Sequence, residues 1–247
     1  MQENSSQNTG TKQTFSQWFE NFWYHYKWHS LIALFLVFTI TVCSLQMCQK
    51  ESYDIHVMYA GGYEIERKSD TGATPAYQTM LSSIVRAAAD YDENGSVTVN
   101  LRDLFVLTNE EIEKIESEKG IEVNYPLVKE NLDVFLQNLS VSDYYVCFLS
   151  KAMYDQYSKI DGVDIFHDLT PYVNADTHLE YYTNSAIYLS STGFATMPGI
   201  KDMPEDTVIC LRKITLVASH FNKDKAEEQF ARAEKLLKSI LNFTPVG

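Results

Sequence analysis

The chain has 247 residues, 45% of them hydrophobic and 21% charged, an ordinary globular balance that leaves room for a sizeable core. The first fifty residues hold only Lys12, Lys27, Lys50, Glu3 and Glu20 of its charged side chains, so residues 51–247 carry a net charge of −14. That acidity argues against nucleic acid and against an anionic lipid surface as partners of this part, because both require a basic patch.

Residues 1–14 are polar and lack periodicity, and are expected to be a disordered tail. Phe15, Trp18, Phe19, Phe22, Trp23 and Tyr26 then recur at helical spacing on one face. This predicts an amphipathic aromatic helix over 15–29 that lies in the headgroup layer or docks on a membrane partner. The run Leu31–Cys48, LIALFLVFTITVCSLQMC, carries no charge and would be about 27 Å long as a helix, close to bilayer thickness. A transmembrane helix over 30–48 is expected. The run is longer than the hydrophobic region of a cleaved signal, and no small-residue cleavage site follows it. Cys43 follows Val42 and Cys48 follows Met47, so neither has the small residue that precedes a lipidated cysteine. The reading is an uncleaved signal anchor in the cell membrane, crossing once. The slight Lys bias before the span, and the large size of the C-terminal domain, place the N-terminus in the cytoplasm and that domain outside.

Residues 51–247 are one domain's worth of chain. Ile55–Ala60 reads as a strand, broken by Gly61 and Gly62. Thr74 and Pro75 are suited to N-cap and N1 of a helix, Ala76–Ala89. Asp90–Gly95 is a turn and Val97–Leu107 a long strand. Thr108 and Glu111 form a capping-box pattern that opens a charged helix to about Lys119. A helix comes next over Pro126–Leu139, then an apolar strand, Tyr144–Leu149, and a short helix, Lys151–Tyr157, capped by Ser150. Val163–Phe166 is extended, Leu169–Val173 a turn, and Ala186–Ser191 and Thr207–Ile214 are strands. Lys223–Leu241 is a terminal amphipathic helix. Strands alternating with helices of this length predict an α/β domain with a mixed, partly parallel sheet.

The chemical motifs are sparse. Asp90, Asp92, Asn94 and Gly95 resemble half of a calcium loop, but position 12 of such a loop is Leu101 where a bidentate Glu is needed. The six histidines lack zinc spacing, and there is no nucleophile elbow or phosphate-binding loop. No catalytic residue, metal ligand or cofactor is therefore assigned. Cys147 and Cys210 lie in apolar strand-like runs and are expected as buried thiols; a bridge between them would need adjacent strands. Eight tyrosines between 144 and 188 offer either packing or a recognition face. Ligands of open α/β sheets sit beyond the C-terminal ends of parallel strands. The candidate binding residues are therefore Gly61, Gly62, Tyr63, Ser150, Lys151, Thr192 and Gly193, with turn-making as their alternative role.

The stretches GVDIFHDLTPYV (Gly162–Val173) and DYYVCFLSKAMYDQY (Asp143–Tyr157) resemble extracellular solute-binding proteins of ABC importers, loosely over residues 53–241. The chain is shorter than the two-lobed members and resembles one lobe. Its aromatic YKWH segment (Tyr26–His29) running into the span is similar to that of membrane-anchored proteins of Gram-positive bacteria. The resemblance implies a periplasmic-binding-like single lobe and a non-enzymatic function. That function is binding of a small ligand or of a membrane or surface protein, for example as accessory to a transporter. A membrane-tethered hydrolase and a structural envelope protein are the alternatives.

Overall fold

A computed structural model describes residues 15–48, 53–65, 74–91, 93–160 and 162–244; the tail 1–14 lies outside them. The chain divides into two units, residues 1–52 and 53–247.

The described residues of the first unit form one helix, α1 (Phe15–Cys48). The aromatic part expected over 15–29 and the apolar part expected over 30–48 both lie in this one helix, which no Pro or Gly interrupts. Within it Phe22–Ser44 is long and apolar enough to cross a membrane. Phe19 stacks on Trp23 and Phe22 on Tyr26, with ring centroids 6.2 and 5.4 Å apart, as helical i, i+4 pairs should. The hydroxyls of Thr39 and Thr41 donate to the carbonyls of Phe35 and Val37, each at 2.8 Å. Both hydroxyls are thereby satisfied within the helix itself.

In the second unit the order is β1 (Ile55–Gly61), α2 (Pro75–Ala87), β2 (Val99–Phe105), α3 (Asn109–Lys119), α4 (Tyr125–Val141), β3 (Val146–Ser150) and α5 (Lys151–Tyr157). A hairpin of β4 (Lys159–Ile160) and β5 (Val163–Asp164) comes next, then β6 (Tyr181–Thr183), β7 (Ala186–Tyr188), β8 (Thr207–Leu211) and α6 (Leu216–Leu241). The main sheet has six strands in the order β2-β1-β3-β8-β7-β6. β1 is parallel to both β2 and β3, while β8, β7 and β6 continue antiparallel, so the sheet is mixed and partly parallel.

Local chemistry accounts for the helix starts. Thr74 Oγ1 accepts from the Tyr77 amide with Pro75 at N1, and Asn124 and Ser150 cap α4 and α5 in the same way. The capping box of Thr108 and Glu111 is complete. Alternation along β1 sends Ile55, Val57 and Tyr59 into the core formed with α2 and α6, and Met58 and Ala60 into the core formed with α4 and α5. Every residue of β3 and β8 is buried, as two covered faces require.

Several expected boundaries move. The strand expected to Ser191 stops at Tyr188, and Leu189–Ser191 winds into a 3-10 turn. The strand expected to Ile214 ends at Leu211, although Arg212 still donates its amide to the Tyr145 carbonyl at 2.8 Å. The terminal helix starts at Leu216, capped by Thr215, and kinks at Asn222 (φ −158°, ψ 83°) before its amphipathic part. The three-residue β6 has no counterpart in the sequence reading.

Candidate binding site

The topology itself opens a crevice. The chain leaves β1 for β2 on one side, by way of α2. It returns through α3 and α4 to β3 on the other side of β1, and proceeds outward from there. The outgoing connections of the neighbouring strands β1 and β3 thus diverge, and the space beyond their C-terminal ends is left uncovered. A cavity of about 280 Å³ lies there, lined by Tyr59, Gly62, Tyr63, Leu107, Ser150, Pro204 and Asp206 together with Glu111, Lys114, Ile115 and Glu118 of α3.

Tyr59 is fully buried, and its hydroxyl accepts the Tyr63 amide at 3.1 Å. Burial raises its pKa, and the carboxylates of Asp103, Asp206 and Glu111 act in the same direction. It therefore remains a phenol at neutral pH and keeps a proton to donate. The Tyr63 ring stands edge-on to it with centroids 6.5 Å apart. Glu111 is held by its capping role, one carboxylate oxygen accepting from the amide and the hydroxyl of Thr108 at 2.7 and 2.9 Å. Three carboxylates, those of Glu111, Glu118 and Asp206, face the single ammonium of Lys114 in the lining.

Of the residues singled out in the sequence, Gly62, Tyr63 and Ser150 line this cavity. Gly61 acts differently from the expected ligand approach. A Cβ there would come within 2.6 Å of the Tyr59 hydroxyl and 3.0 Å of Ser150 Cβ, so its bareness accommodates protein atoms. Lys151 lines a neighbouring depression of about 570 Å³ with Thr108, Asn109, Glu110, Asp155 and Asp206. Its ammonium pairs with Asp155 at 2.8 Å and lies over the Tyr182 ring at 4.8 Å; hydrogen bonds to both raise its pKa. Thr192 and Gly193 are at the same end of the sheet but beyond β7, and do not line the cavity. Thr192 is buried, with its hydroxyl donating to the Leu189 carbonyl at 2.7 Å, and Gly193 opens a 3-10 turn. They make turns there, two strands away from β3.

The remaining motifs are structural. Asp90 accepts from the amides of Asn94 and Gly95 at 3.2 and 2.7 Å and closes a turn; Asp92 lies outside the described residues. Among the described residues no group of three His, Cys, Asp or Glu is placed to hold a metal ion. Of the eight tyrosines, Tyr145 and Tyr154 are buried, Tyr181 is exposed and the rest are half-buried. Sequence reading missed Tyr59, Leu107, the α3 wall, Pro204 and Asp206. Tyr59 carried a faint signal, a hydroxyl within an otherwise apolar strand just before two glycines; Asp206 carried none.

No family model, curated protein or solved structure matches this chain.

Proposed function

We infer that the chain is a membrane-anchored binding protein. α1 is its single transmembrane anchor, with the N-terminus cytoplasmic, and the α/β domain takes a small ligand outside the cell. A likeness to one lobe of a solute-binding protein, and an accessory role beside a transporter, belong to this reading. The observation that carries it is the meeting of Gly62-Tyr63 with Ser150, distant in sequence, at one cavity where β1 and β3 diverge. A cavity of about 280 Å³ sits at the lower edge of small-molecule sites, which favours a ligand of few atoms. Leu107, Ile115 and the tyrosine rings favour an apolar body, and the excess of carboxylates favours a cationic end over an anionic one. Ser150 uses its hydroxyl to accept the Met153 amide at 3.3 Å, which favours binding over nucleophilic hydrolysis.

The test is titration of the full chain in lipid nanodiscs with phenethylamine and, as its charge-reversed match, phenylacetate. Saturable binding of the amine is expected, weakened in Asp206→Asn and lost in Tyr63→Ala, with no binding of the acid. Equal response to both compounds, or retention of amine binding in Tyr63→Ala, refutes the assignment.

A further inference from the structure

The crevice has a neighbour that continues it. The depression beside Lys151 measures about 570 Å³, against 280 Å³ for the crevice, and the two share a border. Three pairs of consecutive residues part there, one member lining each hollow. They are Leu107 and Thr108 after β2, Glu111 and Glu110 in the first turn of α3, and Ser150 and Lys151 at the end of β3. Asp206, just before β8, lines both hollows. Its backbone is fixed, the carbonyl accepting the Lys151 amide at 3.1 Å. Its side chain is exposed, and among the described residues no hydrogen bond or ion pair takes up the carboxylate.

The two hollows differ in chemistry. The crevice offers Leu107, Ile115 and two tyrosine rings, whereas Ala152 is the one apolar side chain among the described residues that line the depression. An apolar extension of a ligand therefore gains nothing there. Lys151 and Asp155 offset each other: the ammonium pairs with one carboxylate oxygen at 2.8 Å, and the Tyr182 hydroxyl donates to the other. Those bonds tie α5 to β6 and leave a floor of little net charge. Asn109 of α3 and Gln156 of α5 are exposed in the lining, and the Gln156 Nε2 is steadied by donating to the Tyr157 hydroxyl at 3.1 Å. Each carboxamide carries both donors and an acceptor, the complement of a peptide group. An apolar socket, a free carboxylate at the border and amides beyond it thus match three parts of one ligand. Those parts are a ring-bearing arm, an ammonium beside it, and peptide groups leading away. The N-terminal residue of a peptide joins all three at a single α-carbon.

We propose that the site takes the free N-terminus of a peptide whose first residue is aromatic. The ring enters the crevice, the α-ammonium meets Asp206, and the following peptide groups run along Asn109 and Gln156. This rests on the binding of an amine in the crevice, and the experiment separates the two. The full chain in lipid nanodiscs is titrated calorimetrically with phenethylamine, with Phe-Gly-Gly-amide and with the N-acetylated form of that peptide. The free peptide amide is expected to bind about 10-fold tighter than phenethylamine or better, the return of one or two net hydrogen bonds. The acetylated form lacks the cation and should not bind. Ala152→Phe fills the depression and should erase the peptide's advantage, and Asn109→Ala should reduce it. Both variants should bind phenethylamine as the wild type does, which also shows that they are folded. If phenethylamine binds and the peptide binds no tighter, the extension is overturned and the crevice stands. Equal binding of the acetylated peptide overturns it by removing the ammonium from Asp206. An advantage that survives Ala152→Phe overturns it by taking the peptide out of the depression. If neither phenethylamine nor the peptide binds, the crevice reading falls and the extension with it.

Discussion

Cys147 of β3 and Cys210 of β8 stand directly opposite one another across an antiparallel pair, and both thiols are free. The two strands are neighbours, as a bridge would require, yet the side chains work as small apolar groups in the core formed with α4 and α5. Burial raises both pKa values, that of Cys147 to about 12. Thiolate is the reactive form, so neither group is nucleophilic at neutral pH. Native protein treated with iodoacetamide at pH 7.5 should keep both thiols unmodified by peptide mass mapping, and should lose that protection in denaturant. Rapid native alkylation of either one contradicts the packing.

Arg212 is the largest fully buried side chain, and its described hydrogen bonds go to backbone carbonyls. Nη1 donates to Leu139 at 3.0 Å, Nε to Tyr144 at 3.1 Å, and Nη2 to Ser142. The guanidinium also lies over the Tyr145 ring at 4.6 Å. It therefore terminates α4, placing a cation where the helix dipole is negative and satisfying carbonyls left over at the C-terminus. Arg212→Met should cost about 2–4 kcal/mol in urea unfolding, because the stranded carbonyls outweigh the relieved burial of charge. Arg212→Lys should recover little of it, since one ammonium cannot serve acceptors spread over a planar fork.

Two histidines make stability pH-dependent. Burial lowers the pKa of His56 below its ordinary 6.5, and burial with the nearby charge of Lys213 lowers that of His167. His56 Nδ1 faces the Asn100 amide nitrogen at 3.2 Å, an arrangement suited to neutral imidazole as acceptor. The unfolded chain then binds more protons than the folded one once pH drops through 6.5, so stability rises with pH across that window. Their contribution is fully present above 6.5 and is lost as pH falls toward the folded values. The urea midpoint should be lower at pH 5.5 than at 7.5, and the difference should shrink in the double variant His56→Gln, His167→Gln. An unchanged difference assigns the slope to other groups.

What the sequence disclosed depended on how local the determinants are. The boundary at Ser150-Lys151 and the start of α3 at Asn109 arise from caps that need only residues three apart, and both stand where the pattern put them. The mixed sheet was likewise legible in the alternation of elements. β6 is three residues long, and its existence depends on β7 supplying a partner for Tyr181 and Thr183. The crevice was half legible: Tyr63 and Ser150 end strands, which can be read locally. Its far wall is set by where α3 and Asp206 come to rest, which depends on strand order. Arg212, an ordinary cation in sequence, is buried where its guanidinium meets the carbonyls at the end of α4.

Whether α1 anchors the protein can be tested without reference to the domain. Arg at Phe35 or Val37, in the middle of the segment able to cross a membrane, should cost about 2.5–3.5 kcal/mol of insertion for each substitution. The double variant should leave the membrane fraction after a carbonate wash that retains the wild-type chain. If it remains membrane-bound, α1 is not the element that holds the protein there.

Gly61 and Gly62 give the sharpest test of the crevice, because adjacent glycines should respond differently. A Cβ on Gly61 meets the Tyr59 hydroxyl at 2.6 Å and Ser150 Cβ at 3.0 Å. Tyr59 is fully buried and cannot swing into solvent, so Gly61→Ala must displace the ring and break its bond to the Tyr63 amide. Overpacking of this kind costs about 1–3 kcal/mol. A Cβ on Gly62 meets Leu107 Cδ2 at 2.8 Å, the far end of a flexible side chain that itself lines the cavity. Leu107 can yield by changing rotamer, so Gly62→Ala should leave the urea midpoint nearly unchanged while narrowing the crevice. The expected pattern is a stability loss in Gly61→Ala and, in Gly62→Ala, weakened phenethylamine binding at near wild-type stability. If Gly62→Ala binds the amine as the wild type does, the ligand does not occupy the space beside Leu107, and the site must be sought in the larger depression next to Lys151.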